Sequence, residues 1–184
     1  AKKYDGSFIL RFDDTNPLKD KIEFYDAQKK DLEWLNISWD KEYHTSDNLP
    51  KHYDLAAQLI AQKDAYVCTC SADQIKLGRK QRKPCSCKDK SVEEHQELWQ
   101  QMHENSLAAV LRLNAEMKSD NTAMRDPTLF RIINAKHPLQ SDRFHVWPTY
   151  DFAGAVEDSL SGVTHPFRTK EYELRDDVYF YLLD

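Results

Sequence analysis

The segment Trp147-Pro148-Thr149-Tyr150-Asp151-Phe152, followed ten residues on by Gly162-Val163-Thr164-His165-Pro166-Phe167-Arg168, constrains the fold more than any other part of the chain. It reads as a rigid proline turn presenting a phenol, a short amphipathic helix over 152–160, and a strand over 163–168 whose end delivers one arginine into a cleft. An arginine offers a planar fork of donors that matches a carboxylate in a bidentate way, which a lysine cannot do. Arg168 therefore suits an acidic ligand.

A second segment, Leu10-Arg11-Phe12-Asp13-Asp14-Thr15-Asn16-Pro17, ends an apolar strand over 7–12 in two adjacent acids and a turn. In open α/β sheets ligands sit at the carboxyl ends of strands. Asp13 or Asp14 can hold an ammonium there while Arg168 holds a side-chain carboxylate, so that both charges of an acidic amino acid are met. Periodicity predicts a helix over 19–35, with Ile22, Tyr25, Leu32 and Leu35 inward. Another is expected over 49–63, with Tyr53, Ala56, Leu59 and Ile60 inward. This βα order is typical of a nucleotide-binding half.

The stretch from about 65 to 134 has a different character. Ser91 and Glu94 form a capping box at the start of a helix, and residues 109–113 and 129–133 alternate like strands of an antiparallel sheet. From about 144 the pattern reads as a return to a parallel sheet, closing with a helix from Asp176. The expected fold class is α/β: a partial Rossmann-like nucleotide-binding domain over 1–64 and 144–184, interrupted by an inserted α+β domain over 65–143.

Four cysteines stand as Cys68-Thr69-Cys70 and Cys85-Ser86-Cys87. In a reducing compartment two close pairs suit metal ligation better than disulfides, and four thiolates suit a structural zinc. The C-x-C spacing also leaves free thiols or a disulfide open. The 184 residues, 40% hydrophobic, are enough to bury a core. A formal charge of −5 argues against a general nucleic-acid coat protein, since nonspecific backbone binding calls for a basic face. Basic residues are nonetheless grouped as Lys76, Arg79, Lys80, Arg82, Lys83, Lys88 and Lys90, which reads as a solvated loop or as an RNA-backbone contact. No apolar run approaches the roughly 18 residues of a membrane span and no signal-peptide pattern opens the chain, so a cytoplasmic place is expected and no membrane partner.

Taken together, Arg11 to Pro17, Tyr43-His44-Thr45-Ser46-Asp47, Met124-Arg125-Asp126-Pro127-Thr128-Leu129, Trp147 to Phe152 and Gly162 to Tyr172 resemble the glutamyl-tRNA synthetases. These are class I aminoacyl-tRNA synthetases, and the likeness is to the archaeal and eukaryotic type, close kin to the glutaminyl enzymes. In that family the position of Arg168 is arginine when the substrate is glutamate and uncharged when it is glutamine. The resemblance implies a ligase that uses ATP and Mg²⁺ to charge tRNA, with Arg11, Asp13, Asp14, Tyr150, Gly154, Arg168 and Tyr172 around glutamate. Tyr150 and Tyr172 read equally as core aromatics, and Asp13 and Asp14 as caps of the turn. The inserted domain of the resembling enzymes holds the tRNA acceptor end, which points to Lys80, Arg82, Lys83, Arg125 and Asp126. Arg125 and Asp126 read as a turn clasp as readily as a contact to the terminal nucleotide. A zinc knuckle at Cys68, Cys70, Cys85 and Cys87 is also known in such insertions.

The two ATP signatures of that class, a His-x-Gly-His type turn and a Lys-Met-Ser-Lys type loop, do not occur in the sequence. Its four glycines make no phosphate-cradling loop. By resemblance the chain is an internal piece of a longer enzyme, inactive alone, with no catalytic residue of its own. The tRNA partner is that for glutamate, with the glutamine tRNA as a further acceptor. Two alternatives stay open: a glutaminyl-tRNA synthetase piece, and a non-catalytic zinc-containing tRNA-binding module.

Overall fold

Strand β1, Ile9–Phe12, pairs in parallel with β2, Lys41–His44, from Ile9 opposite Lys41 to Phe12 opposite His44. Parallel neighbours need a crossover, and helix α1, Ile22–Trp34, supplies it. The structure is a computed structural model and describes residues 1–184. The expected helix over 19–35 begins later, because Lys21 is extended (φ −143°, ψ 143°). Only Tyr25 of α1 is buried, its ring 5.1 Å from that of Phe12 and 5.2 Å from His44. Ile22 and Leu35, expected inward, are 46% and 55% exposed. A sheet two strands wide covers one narrow stripe of the helix and leaves its flanks open.

Helix α2, Leu49–Gln62, turns Leu49, His52, Ala56 and Ile60 inward and stops at Lys63, which takes the left-handed conformation (φ 71°). That residue closes the helix with backbone bonds to Ile60 and Leu59, and the chain enters β3, Ala65–Cys68, almost at once. Helix α3, Ala72–Gln81, and helix α4, Val92–His103, both start on capping boxes. At α4 the reciprocal bonds between Ser91 and Glu94 are those expected from the sequence.

Strands β4 (Val110–Leu113), β5 (Thr128–Ile132) and β6 (Val146–Pro148) join β3 in one antiparallel sheet of order β3-β4-β5-β6. This corrects the expected return to a parallel sheet after residue 144, since β6 pairs antiparallel with β5, Phe130 opposite Pro148. Pro148 has no N–H to give a further strand, which suits the edge place β6 occupies. Helices α2, α4 and α5 (Tyr150–Ser161) bring Ala56, Ile60, Trp99, Met102, Phe152 and Val156 onto this sheet, where Val67, Leu111, Leu113, Leu129, Phe130 and Val146 complete the main core. Val178 from α6, Asp176–Leu183, reaches the same core.

The predicted strand over 163–168 does not form. Gly162 ends α5 in the left-handed region (φ 66°), Pro166 offers no ladder donor, and no strand lies alongside. Arg168 is therefore carried by a loop leading into the 3-10 turn Lys170–Arg175. No helix is long and apolar enough to cross a membrane.

Candidate functional site

Helix α5 carries two adjacent acids into the interior, Glu157 (1% exposed) and Asp158 (3%). Consecutive helical positions point about 100° apart, so the two serve different neighbours. Glu157 takes a hydrogen bond from Asn48 at 3.0 Å and lies 2.7 Å from Nε2 of the buried His52, joining α5 to α2. Asp158 collects three donors from three elements. Arg11 Nη1 on β1 donates to Oδ1 at 2.5 Å, while Arg168 Nη2 at 2.6 Å and Tyr179 Oη on α6 at 3.0 Å donate to Oδ2.

Arg11 also donates through Nε to Asp13 Oδ1 at 2.7 Å, and Asp13 Oδ1 accepts from Thr45 Oγ1 at 3.3 Å. The early acid and the late arginine thus stand at the ends of one continuous line, Asp13–Arg11–Asp158–Arg168. Burial works against the charge on Arg11, and the neighbouring Asp13 and Asp158 more than offset it, holding its pKa above the usual arginine value.

A cavity of about 260 Å³ opens beside this line, walled by Tyr150, Gly154, Arg168, Tyr172, Arg175 and Tyr179 among others. The Arg168 guanidinium stands 5.9 Å from the centre of the Tyr150 ring, and the Tyr150 and Tyr172 rings are 4.6 Å apart. Burial raises the Tyr150 pKa, so its hydroxyl stays protonated and can donate. A Cβ at Gly154 would lie 3.8 Å from Arg168 Nη2 and 3.9 Å from Tyr150 Cζ, so the missing side chain leaves the space between them open. Arg168 keeps 27% of its side chain accessible and lines the cavity.

Asp14 does not share this site. Its carboxylate is enclosed, accepting from the Ser46 backbone N–H at 2.9 Å and the Ser46 hydroxyl at 2.8 Å, with His44 and His137 at 3.5 and 3.7 Å. Burial pushes its pKa up to about 6, against the pull of the Ser46 bonds. Alternation along the chain aims it away from Asp13, and it anchors the β2 end and the 137–141 turn. A role against an amino-acid ligand is therefore withdrawn for Asp14.

The four cysteines converge. Their sulfurs all lie within 4.8 Å of one another, with Cys68 to Cys85 at 3.7 Å and Cys70 to Cys87 at 3.8 Å. Four sulfurs about 2.3 Å from a central ion stand about 3.8 Å apart along the edges of a tetrahedron, so the donors fit a tetrathiolate zinc site. Arg112, 2% exposed, places Nη1 4.0 and 3.9 Å from the Cys68 and Cys85 sulfurs, a cation beside what would be a doubly negative centre. Its Nη2 is buried without a partner.

Arg125 and Asp126, expected near the tRNA end, are internal. Arg125 donates to the backbone carbonyls of Ser119, Arg79 and Asp120, and Asp126, 0% exposed, holds Lys88, the Tyr66 hydroxyl and the Ala115 N–H. With their donors and acceptors spent inside the protein they clasp the turn before Pro127, and the tRNA contact is corrected to a structural role. The basic group divides likewise. Lys88 turns inward, Arg79 and Arg82 are tied to Thr122, Lys118 and Asp120, and Lys76, Lys80 and Lys83 remain exposed.

Asp158, Tyr179, Arg112 and the Glu157–His52 pair were not singled out from the sequence. A signal existed for the acids: two carboxylates at successive positions after Phe152-Ala153-Gly154-Ala155-Val156 sit where a helix turns its apolar face inward.

The family described as tRNA synthetases class I (E and Q), catalytic domain, matches residues 1–184. The chain is 48% identical over 178 residues to a glutamate–tRNA ligase of Cenarchaeum symbiosum, covering 96% of this chain and 32% of that protein. It is 45% identical over 186 residues to a glutamate–tRNA ligase of Nitrosopumilus maritimus, covering 100% and 33%. It thus spans about a third of the length of the curated relatives it matches. Among solved structures, a glutamate tRNA ligase from Elizabethkingia meningosepticum in complex with its amino acid shares the fold at TM-score 0.66, with 18% identity, over 97% of this chain and 40% of that one. By its match along the entire length, its mixed parallel and antiparallel α/β fold and its motifs, the chain belongs to the catalytic domain family of the class I glutamate and glutamine tRNA synthetases.

Proposed function

We propose that the full-length protein is a glutamate–tRNA ligase, and that this part supplies amino-acid recognition and binding of the acceptor end. The observation that carries the reading is Arg168 in the wall of the 260 Å³ cavity, beside Tyr150 and Gly154 and joined through Asp158 to Arg11 and Asp13. Glutamate lies beside that line with its γ-carboxylate on Arg168, its ammonium toward Asp13 and its aliphatic stem against the Tyr150–Tyr172 ring pair. Its α-carboxylate then attacks the α-phosphate of ATP and displaces pyrophosphate, giving glutamyl adenylate; bound Mg²⁺ would supply neutralisation of phosphate charge. A ribose hydroxyl of the tRNA next attacks the acyl carbon, and AMP leaves with the proton passing to solvent. No protein nucleophile is needed, and the residues here act by positioning. Glutamine at this site would forfeit the charge-assisted bonds that Arg168 can offer a γ-carboxylate beyond its pair with Asp158.

The exposed Lys80 and Lys83, with Arg82 beside them, face the backbone of the acceptor stem, and a zinc ion on Cys68, Cys70, Cys85 and Cys87 fixes the loop that presents them. The division at 64/65 and 143/144 marks the insertion that does this work. The protein works in the cytoplasm.

In the full-length enzyme, ATP–pyrophosphate exchange should depend on glutamate and not on glutamine, and transfer should be measured with the tRNAs for both. Arg168→Ala should raise the glutamate KM at least about tenfold, the loss of one charged hydrogen-bonded contact, and leave the ATP KM within about twofold. Unchanged glutamate kinetics would remove Arg168 from its role, and glutamine exceeding glutamate would reverse the substrate.

A further inference from the structure

We infer that Asp158 is a positioning residue that sets the aim of the two arginines of the amino-acid site, with Tyr179 holding Asp158 in turn. The inference rests on the glutamate reading and concerns a residue that touches the ligand only through others.

Two guanidinium groups, from strand β1 and from the loop after α5, converge on one carboxylate that is 3% exposed. Each oxygen has its own arginine: Oδ1 takes Arg11 and Oδ2 takes Arg168. The separation of the two cations is therefore fixed by the width of a single carboxylate. Without that anion they would repel across a partly dry space, where the low dielectric makes like charges expensive.

The chain's connectivity makes this anchor necessary. Arg168 lies on a segment with no strand partner, flanked by Phe167 at 91% exposure, and its other hydrogen bond is a 3.3 Å bond to the Phe167 carbonyl. Its backbone alone does not hold the guanidinium in the cavity wall. Asp158 can, because the core side of α5 is locked by Phe152 and Val156 packing on the sheet. The bond to Asp158 occupies one N–H of Nη2 and the Phe167 carbonyl takes one of Nη1, leaving three N–H donors on a side chain that lines the cavity. Tyr179 adds a third donor from α6, so one carboxylate ties β1, the Arg168 loop and α6 to the helix that carries Tyr150 and Gly154.

The line Asp13–Arg11–Asp158–Arg168 holds two cations and two anions, so the site does not gain from net charge. It gains from groups fixed before the ligand arrives, which lowers the ordering cost of binding.

The test is steady-state exchange in the full-length enzyme. Asp158→Asn should raise the glutamate KM by about tenfold or more while the ATP KM moves by less than about twofold. Tyr179→Phe, which deletes only the hydroxyl, should raise the glutamate KM by a few-fold, and it guards against misfolding of the first variant. Because Asp158 acts in part through Arg168, Asp158→Asn should raise the glutamate KM by a clearly smaller factor in an Arg168→Ala background than in the parent, the remainder passing through Arg11. Additive effects in this cycle, equal rises in both KM values, or a glutamate KM unmoved by both single variants while Arg168→Ala raises it, each overturns the inference. If Arg168→Ala itself is silent, the glutamate reading fails first.

Discussion

Replacing Asp126 with alanine should loosen the side of the sheet that carries the four-cysteine cluster without touching any RNA contact. The carboxylate is fully buried and holds Lys88 Nζ at 3.0 and 3.2 Å, the Tyr66 hydroxyl at 3.0 Å and the Ala115 N–H at 3.0 Å. Breaking a buried ion pair costs about 3–5 kcal/mol, but the Lys88 side chain is 20% exposed and can recover part of its hydration. About 2–3 kcal/mol remains from the pair. The orphaned Ala115 N–H and Tyr66 hydroxyl together add about 1–2 kcal/mol, and alanine at the left-handed backbone of position 126 (φ 43°) adds about 1 kcal/mol. The sum, about 4–6 kcal/mol, is a large part of what a domain has.

Asparagine at 126 keeps the shape and tolerates the left-handed backbone, so Asp126→Asn should cost about 2 kcal/mol, chiefly the lost charge. Amide hydrogen exchange of the full-length protein measures this locally. Protection of the Ala115 amide should fall by about a thousandfold to ten-thousandfold in Asp126→Ala and by about thirtyfold in Asp126→Asn, each 1.4 kcal/mol being a factor of ten. Protection that changes by less than about threefold in the alanine variant, coupled with a weakened tRNA KM, would refute this ledger and restore Asp126 to the nucleic-acid surface.

The cysteine cluster should bind one zinc per chain by metal analysis, and stripping it with a chelator should open all four thiols to a thiol reagent and deprotect the β3 amides. Thiols that stay inert in chelator would argue against a metal. His103, packed 4.4 Å from the Tyr53 ring and 4.6 Å from Trp99, has its pKa lowered from 6.5 to about 4 by burial, with His145 adding to the effect. A base depressed on folding contributes stability that is present above pH 6.5 and lost as the pH falls toward 4, here up to about 3 kcal/mol. Asp14, raised to about 6, slopes the other way, favouring the fold at low pH and losing that contribution as pH rises from about 4 to 6. The urea midpoint of His103→Phe minus that of the parent should therefore grow as pH drops from 6.5 to 4. A pH-independent difference would show that His103 titrates as it does in the unfolded chain.

How far the site was legible follows from what each residue type reveals by itself. Arg168, Tyr150 and Gly154 could be read because their chemistry and their motif travel together in sequence, and the cavity brings all three into one wall. The four cysteines were legible for the same reason, since only a few arrangements satisfy two C-x-C pairs. Segment 163–168 looked like a strand because its residue pattern fits one, but a strand needs a neighbour and the chain provides none there. The sheet's closure was misread at β6 for a related reason: three residues, one of them proline, state a β conformation but not which edge they will join.

Partnerships between distant charges were the least legible. Asp13 and Asp14 are neighbours of the same chemistry just past the end of β1, yet one side chain reaches Arg11 and the other enters a shell of Ser46, His44 and His137. Nothing in an adjacent pair says which acid faces the cleft. The decisive contact, Arg11 with Asp158, spans 147 positions. A carboxylate inside an apolar helix face signals that some partner must exist, because an unpaired buried charge is prohibitive. Which cation answers it is decided by how β1, α5 and the following loop are brought together, and that arrangement turns two separately recognisable motifs into one connected cluster beside the cavity.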